Sequence, residues 1–172
     1  MALHKKAIEM QIFTFIFALI LIALLMAYGM KTLTGFNDTT EQVELADFFL
    51  KLQDYTTMLY SFDIGSSQDI TLSLPSTVQQ VCFYDSSRSI TEHIDQTLSD
   101  HLAATPDHNI FLIPSTLTPS SFSANNLRVL HGPNPLCMPA KQKIAIRLQT
   151  SLDESNQIVV DVRQPQPPTP SP

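Results

Sequence analysis

The side chains with the widest chemical reach in this chain are two cysteines, Cys82 and Cys137, and five histidines. Cys82 lies in an apolar stretch typical of a β-strand, and Cys137 follows a proline-rich loop. Neither belongs to a CxxC motif or a known nucleophile motif, so no catalytic cysteine is indicated. Two distant cysteines either stay free, partly buried thiols or form a structural disulfide, depending on the compartment of the domain.

The histidines, acids and serines lack the spacing of a catalytic or metal site. His93 and His101 differ by about 80° around a helix axis, so they share no face for a metal. The sequence contains no HExxH, no DxDxDG calcium loop and no GxSxG motif. We therefore predict no catalytic residue, no metal ligand and no cofactor, although carboxylates that only the fold brings together are invisible at this stage.

Composition excludes two further classes of protein. The 172 residues include only 4 glycines, and none have the clustering that a phosphate-binding loop requires. The formal net charge of -6 argues against a nucleic-acid partner, because phosphates demand a basic surface. The sequence does not specify a small-molecule ligand.

An uncharged apolar run extends over residues 12–30, after a segment 1–11 that contains charges. As a helix it would be roughly 28 Å long, close to the thickness of the bilayer core, so it predicts a transmembrane helix. The side chains expected to anchor the chain in lipid are Ile12, Phe13, Phe15, Ile16, Phe17, Leu19, Ile20, Leu21, Ile22, Leu24, Leu25 and Met26.

The flanking charges predict the orientation of this helix in the cell membrane. Lys5 and Lys6 precede the run, whereas 7 basic and 15 acidic residues follow from residue 32 onward. By the positive-inside rule, the N-terminus is cytoplasmic and an acidic domain lies outside. A cleaved secretory signal ending near residues 27–29 is the alternative. In an oxidising exterior we expect a Cys82–Cys137 disulfide, with a stabilisation of about 4 kcal/mol.

The remaining chain predicts a joint at 31–37, an α+β domain at 38–163 and a disordered proline-rich tail at 164–172. After a capping box, apolar residues at three- and four-residue steps predict an amphipathic helix to about Phe62. A small, mainly antiparallel β domain with a second helix follows. Its strands are expected near 70–74, 78–84, 109–113, 144–148 and 158–162, with a candidate at 127–130 and the helix at 89–104.

The N-terminus resembles the class III signal of type IV pilins and archaeal pilin-like proteins. Lys5, Lys6 and Ala7 are followed by Ile8 and Glu9 and then by the apolar run. The resemblance implies that a peptidase cuts after Ala7 and that the helix remains on the mature protein.

Two residues depart from the family pattern: Ala7 stands where glycine is usual, and Glu9 lies earlier than the bacterial pilin glutamate. The stretch SFDIGSSQDITLSLPSTVQQVCF is also similar to small membrane-anchored pilin-like proteins of archaea. The resemblance implies architecture more than activity.

These observations lead to the hypothesis of a non-enzymatic, single-span membrane-anchored surface protein, a pilin-like assembly subunit that displays an acidic extracytoplasmic domain. Its expected partners are the lipid bilayer and copies of itself or other pilin-like subunits. The alternative is a monomeric binding module or accessory subunit on a static anchor, with recognition loops at 115–124 and 130–140. An anchored hydrolase is a third hypothesis, and Asn37 begins a formal N-glycosylation sequon.

Overall fold

The computed structural model describes residues 2–92, 94–114, 116 and 118–165; within its first helix, the side chains of residues 2–13 and 29–39 lie outside the description. The described residues form two helices and eight strands. In chain order these are α1 (Ala2–Tyr60), β1 (Ser67–Ser73), β2 (Gln80–Phe83), α2 (Gln96–Ala104), β3 (Ile110–Ile113), β4 (Ser121–Phe122), β5 (Leu127–Arg128), β6 (Leu136–Pro139), β7 (Lys143–Leu152) and β8 (Ile158–Arg163). The chain divides into two compact units, residues 1–41 and residues 42–172.

The first unit contains the N-terminal part of α1, whose described side chains are those of residues 14–28, 40 and 41. Among the described residues, no helix is both long enough and apolar enough to cross a membrane. The N-terminal transmembrane helix at 12–30 that formed part of the predicted fold class is therefore a wrong prediction.

Helix α1 continues through residues 31–37, where the sequence predicted a joint. The glycine that motivated the joint, Gly35, lies inside the helix. A single glycine in a helix interior costs about 1 kcal/mol relative to alanine, which a helix of 59 residues tolerates. The backbone of the predicted segments 12–30 and 31–37 therefore belongs to one helix, α1.

The second unit begins with the C-terminal part of α1, which has one apolar face. Leu45, Phe48, Leu52 and Leu59 are each at most 1% exposed and recur at helical spacing. The predicted amphipathic helix is confirmed over these residues, but its predicted start at a capping box is wrong, because α1 already runs through that position. The helix ends at Tyr60, and Phe62 beyond it is exposed.

A buried threonine attaches the end of α1 to strand β7. The Oγ1 hydroxyl of Thr150 donates a hydrogen bond of 2.9 Å to the carbonyl oxygen of Leu59. The last carbonyls of a helix have no partner within the helix, so this bond satisfies one of them. The backbone of Thr150 also pairs with Gly65 and Ser66, with both N–H to oxygen distances at 2.8 Å. The helix and the sheet are thus joined where the chain reverses.

The strands form two four-stranded sheets. The first has the order β1-β7-β8-β5, and the second has the order β4-β3-β2-β6. All pairs are antiparallel except β5 with β8, which are parallel. The mainly antiparallel β domain that the sequence predicts is present.

One hydrophobic core joins the apolar face of α1 to both sheets. It includes Ile146 and Val160 from the first sheet and Val81 and Leu112 from the second. A smaller cluster of Cys82, Leu98 and Phe111 lies between the second sheet and α2. Side chains of β2 and β3 are buried on both faces, which explains why these strands read as continuous apolar runs.

The second helix is shorter than the sequence predicts. It begins after Asp95 instead of at residue 89, and His93 lies outside the described residues. The backbone N–H of Thr91 donates to the carbonyl of Asn134, and Asn134 Nδ2 donates to the carbonyl of Arg88. Asn134 Nδ2 thus occupies the Arg88 carbonyl, and it also lies 3.4 Å from the carbonyl of Ser89, so acceptors that the first turn of a longer helix would use are already engaged.

Two short strands, β4 and β6, lie in stretches that the sequence predicts as loops. Each pairs on one side only, at an edge of the second sheet. Proline-rich segments are typical of such edges, because proline cannot donate to a neighbouring strand. Of the predicted tail, residues 166–172 lie outside the described residues.

Replacing Phe48 by alanine is expected to lower the free energy of unfolding by about 3–5 kcal/mol, because a large ring leaves a cavity in a core that joins three layers. Leu50→Ala is the matched control: Leu50 lies two residues away and is 66% exposed, so its loss should change stability by no more than about 0.5 kcal/mol. Urea denaturation of the full chain measures both. Equal effects of the two substitutions would contradict the assigned packing of α1.

The cross-strand ion pair between Asp69 and Arg147 predicts a pH dependence. Arg147 Nε lies 2.6 Å from Asp69 Oδ1, and its Nη2 lies 2.7 Å from Oδ2. The hydrogen bond from Arg147 lowers the pKa of the Asp69 carboxyl, with a smaller charge attraction in the same direction. Because the folded-state pKa is the lower one, the stabilisation is present above about pH 4 and is lost as pH falls through the folded pKa.

Asp69→Asn should therefore lower the Tm at pH 7 and leave it close to that of the unmodified chain near pH 2, when both are compared in one thermal denaturation series. A Tm difference that is the same at both pH values would show that the carboxylate charge does not contribute.

Candidate functional site

The two cysteines form a disulfide, as the sequence predicts. Cys82 on β2 lies directly opposite Cys137 on the edge strand β6, and the bond joins them across 55 positions of sequence. Cys82 is fully buried in the cluster beneath α2. The bond therefore has a structural place, holding the edge strand to the centre of the second sheet.

The predicted processing residues Lys5, Lys6, Ala7, Ile8 and Glu9 belong to α1, but their side chains lie outside the description. The same applies to the predicted anchor residues at positions 12 and 13 and to the sequon at position 37. The other predicted anchor residues are described, and all are exposed. Their exposed fractions run from 45% to 71% over Phe15, Ile16, Phe17, Leu19, Ile20, Leu21, Ile22, Leu24, Leu25 and Met26.

Asn134 holds the segment at residues 85–91 against the strand β6 region. Its Oδ1 accepts the N–H of Asp85 at 2.9 Å, and its Nδ2 donates to the carbonyl of Asp85 at 2.9 Å. Asn134 is completely buried, so each of these bonds satisfies a group that water cannot reach. The side chain of Asn134 thereby fixes the backbone of Asp85.

Asn109 plays the same part for the segment that leads into β5. Its Nδ2 donates to the carbonyls of Ala124 at 2.8 Å and Leu127 at 3.0 Å, and its Oδ1 accepts the N–H of Ala124 at 2.8 Å. The Oε1 of Gln53 on α1 accepts the N–H of Asn125 at 3.0 Å. Four hydrogen bonds from side chains thus hold a loop without regular secondary structure.

A cleft of about 740 Å³ opens beside this loop. We call it the Arg128 cleft; the lining residues that matter below are Tyr60, Tyr84, Asp85, Asn126, Arg128 and Gln157. A second cleft of about 420 Å³ contains His131 and Glu154 and shares Arg128 and Gln157 with the first. Arg128 therefore lies where the two clefts meet.

Among the described residues, Arg128 hydrogen-bonds through only one of its nitrogens. Its Nη1 lies 2.9 Å from Ser87 Oγ and 3.5 Å from Oδ1 of the buried Asp85. Ser87 also donates to the same Asp85 oxygen, through N–H at 2.9 Å and Oγ at 2.6 Å. The other carboxylate oxygen, Oδ2, is buried and has no hydrogen-bond partner among the described residues.

The carboxylate of Asp161 connects β8 to the loop after β5. Asp161 is fully buried, and its Oδ1 accepts the N–H of Leu130 at 2.7 Å. Its Oδ2 lies 2.7 Å from His131 Nδ1 and accepts Arg163 Nε at 2.7 Å. His131 Nδ1 also lies 2.9 Å from Nη2 of Arg163, which can only donate, whereas the carboxylate of Asp161 can only accept, so these contacts are compatible with either role of Nδ1.

A histidine next to a buried aspartate resembles part of a catalytic triad. Within the described residues, however, neither the His131–Asp161 pair nor a second pair, Ser121–His108, has the third member of a triad. No serine or cysteine of the described residues hydrogen-bonds to His131 Nε2. A serine–histidine pair does occur, with Ser121 Oγ 2.7 Å from His108 Nδ1. Ser121 is only 9% exposed, and no carboxylate of the described residues orients His108. Nucleophilic catalysis needs the nucleophile, the base and the orienting group together.

Metal binding has no better support within the described residues, which contain no group of three potential ligands among His, Cys, Asp and Glu. Sequence reasoning missed the Arg128 cleft and the asparagines that shape it. No local motif marks them, because Asn109 contacts residues 15 and 18 positions away and Asn134 contacts Asp85 across 49 positions.

Comparison with known proteins assigns no family: no family model, no curated protein and no solved structure matches this chain.

Asn109→Ala should destabilise the wall of the Arg128 cleft. It leaves the N–H and carbonyl of Ala124 unpaired, and a buried polar group without a partner costs roughly 1–3 kcal/mol. We expect a lower free energy of unfolding and faster hydrogen–deuterium exchange at the Ala124 amide. Asn125→Ala is the matched control, because Asn125 is exposed and only its backbone is held. Unchanged exchange at Ala124 in the Asn109 variant would refute this role.

Proposed function

We propose that this protein is a non-enzymatic structural subunit, similar to type IV pilins, that attaches to the cell membrane and displays an acidic α+β domain outside the cell. The observation that carries the proposal is the exposed apolar surface of α1 between Phe15 and Met26, where ten large apolar side chains are 45% to 71% exposed. Successive residues of a helix point about 100° apart. Apolar side chains therefore cover every side of this stretch.

Such a surface requires apolar surroundings. Fully burying one exposed large apolar side chain stabilises by about 1.5–3 kcal/mol, so ten that are 45% to 71% exposed represent a contribution on the order of 10 kcal/mol. That exceeds the whole stability of many small domains. We propose that this stretch attaches the unassembled subunit to the membrane and that copies of the chain cover part of it on assembly.

The non-enzymatic role rests on how the polar groups of the second unit are used. Asp161 joins the loop after β5 to β8, and Asn134 and Asn109 tie loops to strands. The hydrogen bonds of these side chains therefore stabilise the fold. The acidic character of the domain, with 15 acidic and 7 basic residues after residue 31, suits display at a surface.

Intact mass and N-terminal sequencing of the protein extracted from native membranes is the first test. A chain that begins at Ile8 would support pilin-type processing after Ala7 and therefore assembly. A chain that begins at Met1 or Ala2 would favour the alternative function, a monomeric binding module on a static attachment. Absence of the protein from the membrane fraction would contradict both.

Replacing Leu21 and Leu24 together by lysine should release most of the protein from the membrane fraction, because two apolar contacts are lost and two charges must be desolvated. Val43 and Leu50 are the matched pair for a control. They are 63% and 66% exposed in the second unit, and the same substitutions there should leave the membrane fraction unchanged. Equal release by both pairs would show that charge, and not the apolar stretch, determines attachment.

The binding-module alternative has one observation in its favour, the pair of clefts that share Arg128. The two functions predict different results of chemical cross-linking on cells. A binding module would remain monomeric, whereas an assembled subunit would be cross-linked to copies of itself.

A further inference from the structure

The Arg128 cleft presents hydrogen-bonding groups that the fold does not use. Only Nη1 of Arg128 is engaged, so Nε and Nη2 make no hydrogen bond to any described residue, and the side chain is 37% exposed. The side-chain amides of Asn126 and Gln157 are exposed and likewise make no hydrogen bond within the described part of the chain. The cleft therefore offers both donors and acceptors to a ligand.

We propose that the Arg128 cleft binds a neutral saccharide. Its volume of about 740 Å³ lies within the roughly 300–1,000 Å³ of ligand pockets. Each sugar hydroxyl both donates and accepts, so a ring with several of them matches a guanidinium and two primary amides. This inference goes beyond the proposed structural role and does not depend on membrane attachment.

The charges around the cleft favour a neutral ligand over an ionic one. The buried carboxylate of Asp85 compensates the charge of Arg128, and its unpaired Oδ2 adds negative potential behind the guanidinium. Asp107 lines the same cleft and adds a further negative charge. Because Asp85 compensates Arg128, Asp107 leaves the lining with an excess of negative charge that repels an anion, and the unused Nε–H and Nη2–H donors of Arg128 suit an uncharged hydroxyl acceptor better than a cation.

Two tyrosines supply the apolar contact that a sugar ring needs. Tyr60 is 40% exposed and Tyr84 is half-buried, and both line the cleft. The ring of Tyr84 packs edge-on against Phe111 with a centroid distance of 6.5 Å, which holds it in position. A tyrosine presents an apolar face and a polar hydroxyl, so it contacts both the C–H face and the hydroxyls of a sugar.

The wall of the cleft is held rigid before any ligand arrives. Asn109 binds Ala124 and Leu127, and the carbonyl of Asn126 accepts the N–H of Val160 at 2.8 Å. Asn126 has a φ of 61°, in the left-handed region that asparagine tolerates better than most residues. A preorganised wall lowers the entropic cost of binding, which matters most for a small, weakly binding ligand.

The test is an NMR titration of the full chain, ¹⁵N-labelled and kept in solution in a zwitterionic detergent without a sugar headgroup. The probes are the methyl glycosides of glucose, mannose and galactose, and N-acetylglucosamine. We expect at least one of them to cause saturable shifts at the Arg128 Nε–H and at the side-chain amides of Asn126 and Gln157. No shift at these groups with any of the four sugars would overturn the proposal.

Arg128→Met keeps most of the side-chain length and removes the guanidinium, so the apparent affinity should fall at least tenfold. Arg147→Met is the matched control. Arg147, on β7, also pairs with an aspartate. That aspartate is Asp69 on β1, the edge strand at the opposite side of the sheet from β5. Gln157→Ala, at an exposed position, gives a second measurement if loss of Arg128 prevents folding. Equal affinities in Arg147→Met and in the two cleft variants would refute the proposal.

Inorganic phosphate and glucuronate are titrated in parallel. If they shift the cleft resonances and the four neutral sugars do not, the cleft is an anion site and the saccharide assignment is wrong. Shifts with neutral sugars that persist in excess phosphate would support it.

Discussion

Packing of the C-terminal part of α1 against two sheets is the contact on which the remaining structure of the second unit depends. Phe48 and Leu52 belong to the same core as Ile146 of the first sheet and Val81 of the second. Each four-stranded sheet contributes apolar side chains to this core that water would otherwise contact. The helix covers both, and the Thr150 hydroxyl satisfies the carbonyl of Leu59 where the helix ends. Without this helix face, neither sheet would have a buried partner of sufficient area.

Outside this core, the loops are held by polar side chains that are buried or half-buried. Asn109, Asn134 and Asp161 each bind two or more groups from segments distant in the sequence. A loop without secondary structure has backbone N–H and C=O groups that need partners when they are buried. One asparagine side chain can both donate and accept, so it replaces the neighbour that a strand would have had. The shape of the Arg128 cleft follows from these bonds.

The two surfaces with proposed roles differ in chemistry because their surroundings differ. Residues 15–26 present apolar side chains on all sides of a helix, and such a surface gains free energy only when water is removed from it. The Arg128 cleft is polar, nearly balanced in charge around Arg128 and Asp85, and shaped in advance. It suits a ligand that exchanges hydrogen bonds with water for hydrogen bonds with protein. The two proposed roles therefore depend on different residues and on different physical interactions.

The sequence by itself determined the features that depend on local periodicity or composition. The apolar spacing of Leu45, Phe48 and Leu52 identified the helix face, alternating residues identified β1 and β7, and a short apolar stretch identified β8. The disulfide followed from the presence of two cysteines and the predicted exterior, and the structure has it. The transmembrane helix predicted from the apolar run is not found among the described residues.

Only the tertiary structure decided where the polar groups meet. The start of α2, the edge strands β4 and β6 and the Arg128 cleft all depend on contacts across many residues, such as the 49 positions between Asp85 and Asn134. A local pattern contains no information about which distant segment will supply a hydrogen bond. Once the core has formed, buried polar groups in the loops must have hydrogen-bond partners. The core therefore determines the conformation of the loops, and the loops form the wall of the cleft.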